Sequence, residues 1–101
     1  MPLNRRKPNP DSLLYSALSS LYSPDELFSF LTELCSPAEL ISLEQRFEVA
    51  ALLLQDASYV DIMAQAGVSS ATISRVKRAM VDQEGVVAKV IREAKLATPK
   101  A

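Results

Sequence analysis

A chain of 101 residues can bury one modest core, so a single compact domain is expected. Its 49% apolar and 23% charged residues are globular proportions, and no apolar run approaches the roughly 20 residues that a membrane span needs. The net charge of −1 argues against blanket affinity for polyanions, and the absence of histidine removes the commonest general base and metal ligand. The single cysteine, Cys35, excludes an intrachain disulfide and fits a reducing, cytoplasmic setting.

Residues 1–10 (MPLNRRKPNP) hold three prolines and the bases Arg5, Arg6 and Lys7, with no apolar block behind them. They read as a flexible basic arm, not as a signal peptide. A helical domain over 11–95 and a tail over 96–101 follow. Asp11 or Ser12 can cap a first helix over about 11–22, with Leu13, Leu14, Ala17, Leu18 and Leu21 on one face. Ser23-Pro24-Asp25-Glu26 is a helix start with a cap, a proline at the first helical position and acids in the first turn. It opens a helix through about Leu34. Ser36-Pro37-Ala38-Glu39 repeats the signal with capping-box spacing, and that helix is expected to run to about Leu54. Its expected buried stripe is Leu40, Leu43, Phe47, Ala50, Ala51 and Leu54. Leu52 and Leu53 broaden that stripe, so its C-terminal end should be covered on several sides. Tyr15, Tyr22, Phe28, Phe30 and Phe47 read as core or dimer-interface residues, not as stacking platforms for single strands.

The stretch 59–81 reads as a helix-turn-helix. Ser58 can cap a short helix beginning at Tyr59, whose Ile62, Met63 and Ala66 face inward. Gly67 stands where that helix must stop in a left-handed residue. Val68 plugs the angle between helices and Ser69 caps the second. Ile73, Val76 and Met80, spaced i, i+3, i+7, share its buried face. Ser70, Ala71, Ser74, Arg75 and Arg78 then face outward, small and polar first and basic behind. A helix entering a major groove needs that order, because bulk at its leading end would hold it out of the groove. A last helix from about Gln83 carries Lys89, Arg92 and Lys95 at i, i+3, i+6 on a solvated face.

Charge is distributed unevenly along the chain. Residues 1–9 carry three bases and no acid, +3; residues 10–67 carry Arg46 against nine acids, −8; residues 68–101 carry seven bases against Asp82, Glu84 and Glu93, +4. A phosphate backbone responds to the local field, so the helix-turn-helix end is the one suited to it.

Gly67-Val68-Ser69 followed by Thr72-Ile73-Ser74-Arg75-Val76 resembles the helix-turn-helix of the lac repressor family and of many bacterial regulators. Met63 departs from that pattern, which usually has alanine there. The long helix from Ser36-Pro37-Ala38-Glu39-Leu40, with Arg46 mid-helix, resembles more specifically the Trp repressor superfamily, in its YerC/YecD-type Trp-repressor-like branch. That resemblance covers roughly residues 11–95. It implies an all-α fold of about six helices, an intertwined homodimer, and two recognition helices entering successive major grooves of a palindromic operator. It also implies a ligand pocket with Arg46 against an indole, Thr72 and Arg75 beside it, and Ser36 in the place of a threonine. Val76 departs from the pocket's glycine, Ala79 from its serine, and Glu33 and Cys35 from its leucines. A branched Val76 should fill the indole's space, so control by tryptophan is not expected and no cofactor or metal is assigned. Arg46 has the alternative of an ion pair with Glu39 or near Asp56.

The expected function is that of a sequence-specific, duplex-DNA-binding transcriptional regulator, a repressor, acting as a homodimer. Its DNA-binding residues are Ser69, Ser70, Ala71, Ser74, Arg75, Lys77 and Arg78, with Arg5, Arg6 and Lys7 on phosphates. The alternative is a protein-interaction module that retains the fold. No nucleophile, base and orienting group stand together in the sequence, so an enzyme is not expected.

Overall fold

The computed structural model describes residues 6–96. They form six α-helices and no strand among the described residues, and they separate into two compact units, one ending at Ser36 and the other beginning at Pro37.

The first unit holds α1 (Leu13–Ser19) and α2 (Pro24–Leu34). Ser12 caps α1 by accepting from the Leu14 N–H at 3.3 Å. The helix stops at Ser19, short of the expected residue 22, and serine chemistry accounts for this. Ser19 Oγ donates to the Tyr15 carbonyl at 2.9 Å and Ser20 Oγ to the Ala17 carbonyl at 2.7 Å, bonds that compete with continued helix. In α2 the expected start is present: Ser23 Oγ accepts from the Glu26 N–H at 3.1 Å, Pro24 opens the helix, and Asp25 and Glu26 sit at its positive end. Neither helix holds a buried residue. Leu13 is 87% exposed, Tyr22 90% and Phe28 60%.

The second unit holds α3 (Pro37–Leu54), α4 (Tyr59–Ala66), α5 (Ser70–Val76) with a π-helical continuation Lys77–Val81, and α6 (Val86–Glu93). Its core is Val49, Ala50, Ala51 and Leu52 of α3, Ile62 and Ala66 of α4, Ile73 and Val76 of α5, and Ala88 and Ile91 of α6. Four consecutive buried residues, Val49 to Leu52, mean that α3 is covered on several sides near its C-terminal end, with Leu53 and Leu54 half-buried beyond them. The stripe itself needs correcting. Val49 and Leu52 are buried in place of Leu43 and Phe47, which are exposed, and Leu40 and Leu54 are only half-buried. Within this unit α4, α5 and α6 pack on the C-terminal half of α3 and leave Ile41, Leu43 and Phe47 uncovered.

After α3 the chain turns through Asp56, a left-handed residue at φ 61°, and the Ala57 N–H returns to the Leu52 carbonyl at 3.1 Å. The last helix begins at Val86, not at Gln83. Residues 82–84 form a turn that ends with Glu84 at φ 50°, and Gly85 takes the cap position.

Candidate nucleic-acid interface

Each join in the helix-turn-helix has a local cause. Ser58 Oγ accepts from the Asp61 N–H at 3.1 Å and starts α4. Gly67 ends it at φ 69°, ψ 41°, donating to the Met63 carbonyl at 3.0 Å. Val68 packs half-buried against the core. Ser69 Oγ accepts from the Thr72 N–H at 3.2 Å and starts α5. Gln45 of α3 adds a tie that the sequence pattern did not signal: its Nε2 donates to the Ala66 carbonyl at 3.3 Å, holding the turn against the long helix. Ile73, fully buried, and Val76, 2% exposed, anchor the inner side of α5.

On the other side Ser70, Ala71, Ser74, Arg75 and Arg78 are all exposed, as expected. Lys77 is exposed too, but its Nζ is held by Asp82 at 3.1 and 3.3 Å across the π turn. Arg92 is likewise held by Glu84 at 3.0 Å. Both pairs are half-exposed and contribute little to stability, but they offset the charge of those two bases. Arg75 and Arg78 have neither an ion pair nor a hydrogen bond among the described residues. Of the arm, Arg6 and Lys7 are exposed, and Arg5 lies outside the described residues.

A cleft of about 510 Å³ opens between α3 and α5. Ser42, Gln45 and Arg46 line one wall; Thr72, Arg75 and Val76 line the other, with Ala79 beyond them. The structure thus brings Arg46 of α3 to the same cleft as Thr72 and Arg75 of α5, although the two helices are far apart in sequence. Val76 is turned into the core and forms part of the cleft's surface, but the cleft remains open above it. That differs from the expected filling, because a side chain only 2% exposed, with its bulk in the core, adds little outward. Among the described residues Arg46 has no ion pair with the expected partners Glu39 and Asp56. Ser36 belongs to the first unit. Arg75 sits at the boundary of the two surfaces, lining the cleft with Thr72 and Val76 while neighbouring Ser74 on the outward row.

The model of the Trp repressor protein family matches residues 11–95 of this chain. The chain belongs to that family. It is 42% identical over 67 residues to YerC of Bacillus subtilis (strain 168), a stretch that covers 66% of this chain and 64% of YerC, so just under two thirds of that relative is spanned. Among solved structures it is similar to a TrpR-like protein from Eubacterium eligens ATCC 27750, at TM-score 0.78 and 36% identity, covering 85% of this chain and 89% of that one. It is also similar to a protein from Staphylococcus aureus described as a candidate Trp repressor, at TM-score 0.75 and 34% identity over 85% and 86% of the two chains. In this member of the Trp repressor family Arg46, Arg75 and Val76 line one cleft.

Proposed function

We propose that this protein is a sequence-specific transcriptional repressor that binds duplex DNA as a homodimer through α4 and α5. The observation that carries the reading is the outward side of α5. Ser70, Ala71 and Ser74 leave a low-relief leading surface, and Arg75 and Arg78 behind it stand exposed without an internal partner. Unpaired guanidinium groups next to small side chains suit a major groove, where the small residues admit the helix and the bases meet bases and phosphates. Lys77 contributes less than its charge implies, since Asp82 competes with phosphate for it.

Dimerisation is supported by the unburied first unit. Leu13, Tyr22 and Phe28 expose apolar surface that a stable monomer would hide, and so do Ile41, Leu43 and Phe47 of α3. Binding to DNA needs no tryptophan in this reading. What supports that is the branched Val76 in place of the family pocket's glycine, which narrows the floor of the cleft without filling it.

The test is selection of duplexes from a random pool by the purified full chain. The expected result is enrichment of a two-fold symmetric sequence with half-sites about one helical turn, roughly 10 bp, apart. Failure to enrich any sequence, with binding that does not change with salt, would leave the fold serving a protein partner.

A further inference from the structure

Some helical hydroxyls of this chain turn back on their own backbone. Ser19 Oγ donates to the Tyr15 carbonyl at 2.9 Å and Thr32 Oγ1 to the Phe28 carbonyl at 2.6 Å, the ordinary fate of serine and threonine inside a helix. Ser74, on the outward row of α5, does not. Its Oγ lies 3.4 Å from the hydroxyl of Tyr59, the first residue of α4. The ring of Tyr59 is half-buried against the core, so its hydroxyl is delivered to the edge of α5 by a side chain with little freedom.

We propose that Tyr59 is a positioning residue for DNA recognition: it orients the Ser74 hydroxyl and thereby sets the base preference at the position Ser74 meets. The inference rests on the DNA-reading role proposed for α5. Its chemistry is a two-step relay. Either hydroxyl can be the donor at this distance; in the arrangement proposed the phenol donates to Ser74 Oγ, and the serine's own hydrogen then points away from the protein and meets an acceptor, such as guanine N7 or O6 or thymine O4. Donation into the serine oxygen also polarises the outer O–H. Without the phenol the serine rotates to its backbone carbonyl, as Ser19 does, and presents no fixed donor.

The test uses the full chain with Tyr59→Phe, Ser74→Ala and the double variant. In free protein, the χ1 scalar couplings of Ser74 should report one rotamer in the unsubstituted chain and averaging in Tyr59→Phe. On the selected duplex, with each base pair replaced in turn, both single variants should lose the same preference at one base pair, by about threefold to tenfold, the scale of one net hydrogen bond. The double variant should lose no more than Ser74→Ala alone. Thermal unfolding should hardly change, since the ring stays. An averaged Ser74 in the unsubstituted protein overturns the proposal, and so does a Tyr59→Phe protein with intact preferences. A Tyr59→Phe protein that binds all duplexes equally less well, with a shallower salt slope, overturns it in favour of a phosphate contact. An unsubstituted chain without any preference among duplexes refutes the regulator reading and this inference together, and the free-protein couplings show separately whether the tie exists.

Discussion

Two arginines three residues apart, Arg75 on α5 and Arg78 on its π-helical continuation, face different surroundings, and the difference is measurable. Arg78 stands past the small residues, where a docked helix rises toward the phosphate backbone. Replacing it with alanine should weaken selected and random duplexes about equally and lower the salt slope by roughly one. Arg75 is nearer the leading end and has a fork suited to guanine, so Arg75→Ala should weaken the selected duplex more than random DNA, by ~1–3 kcal/mol. Fluorescence anisotropy titrations at several salt concentrations check both. An unchanged specific-to-random ratio in Arg75→Ala would assign that side chain to the cleft it also lines. The cleft has its own test at a single residue. With valine at 76, calorimetric titration with millimolar tryptophan should show no saturable heat. Val76→Gly should not by itself create a response, because it removes a side chain of the core and costs roughly 0.3–0.5 kcal/mol of helix propensity as well. Saturable binding to the unsubstituted chain would show that the opening above Val76 admits the ligand.

At the scale of elements, the helix-turn-helix stands on one strained turn and one packed face. Gly67 at φ 69° has room for a Cβ, the nearest atom being Gln45 Nε2 at 3.9 Å, so the cost of Gly67→Ala is backbone strain alone. About 1–2 kcal/mol is expected from the left-handed conformation. Ile73→Ala empties the middle of the core and should cost about 2–5 kcal/mol. Urea unfolding at matched protein concentration ranks the two, and a Gly67→Ala protein less stable than Ile73→Ala would contradict this account of the turn. The same contrast explains what could be read from sequence. Ser58, Gly67 and Ser69 act on their immediate neighbours, so the positions of α4 and α5 were legible in the residues themselves. The buried stripe of α3 was not, because Val49 and Leu52 are inside only where other helices reach them. The start of α6 was misplaced for a related reason: Glu84 adopts a left-handed turn that glycine would have announced and glutamate does not. The gathering of Arg46, Thr72 and Arg75 around one cleft was legible only through family resemblance, since no spacing links α3 to α5. Gln45 and Tyr59 were missed because each works through a single long-range hydrogen bond.

At the scale of the whole molecule, the central feature is imbalance. The second unit encloses a core, while the first buries no helical residue and displays Leu13, Tyr22 and Phe28. A second copy of the chain is the partner this reading requires, through a large and largely apolar interface. Sedimentation equilibrium should therefore find a dimer down to low micromolar concentration, and a stable folded monomer there would contradict it. Dimerisation would also give the two α5 helices the fixed separation that a symmetric operator demands. The most direct measurement is an amide NMR titration of the dimer with the selected duplex. The account predicts that shift changes concentrate at residues 69–78 and at the start of α4 around Tyr59, with α1, α2 and α6 little affected. Changes confined to another face, or none at stoichiometric duplex, would contradict the assignment of α5 as the surface that reads DNA.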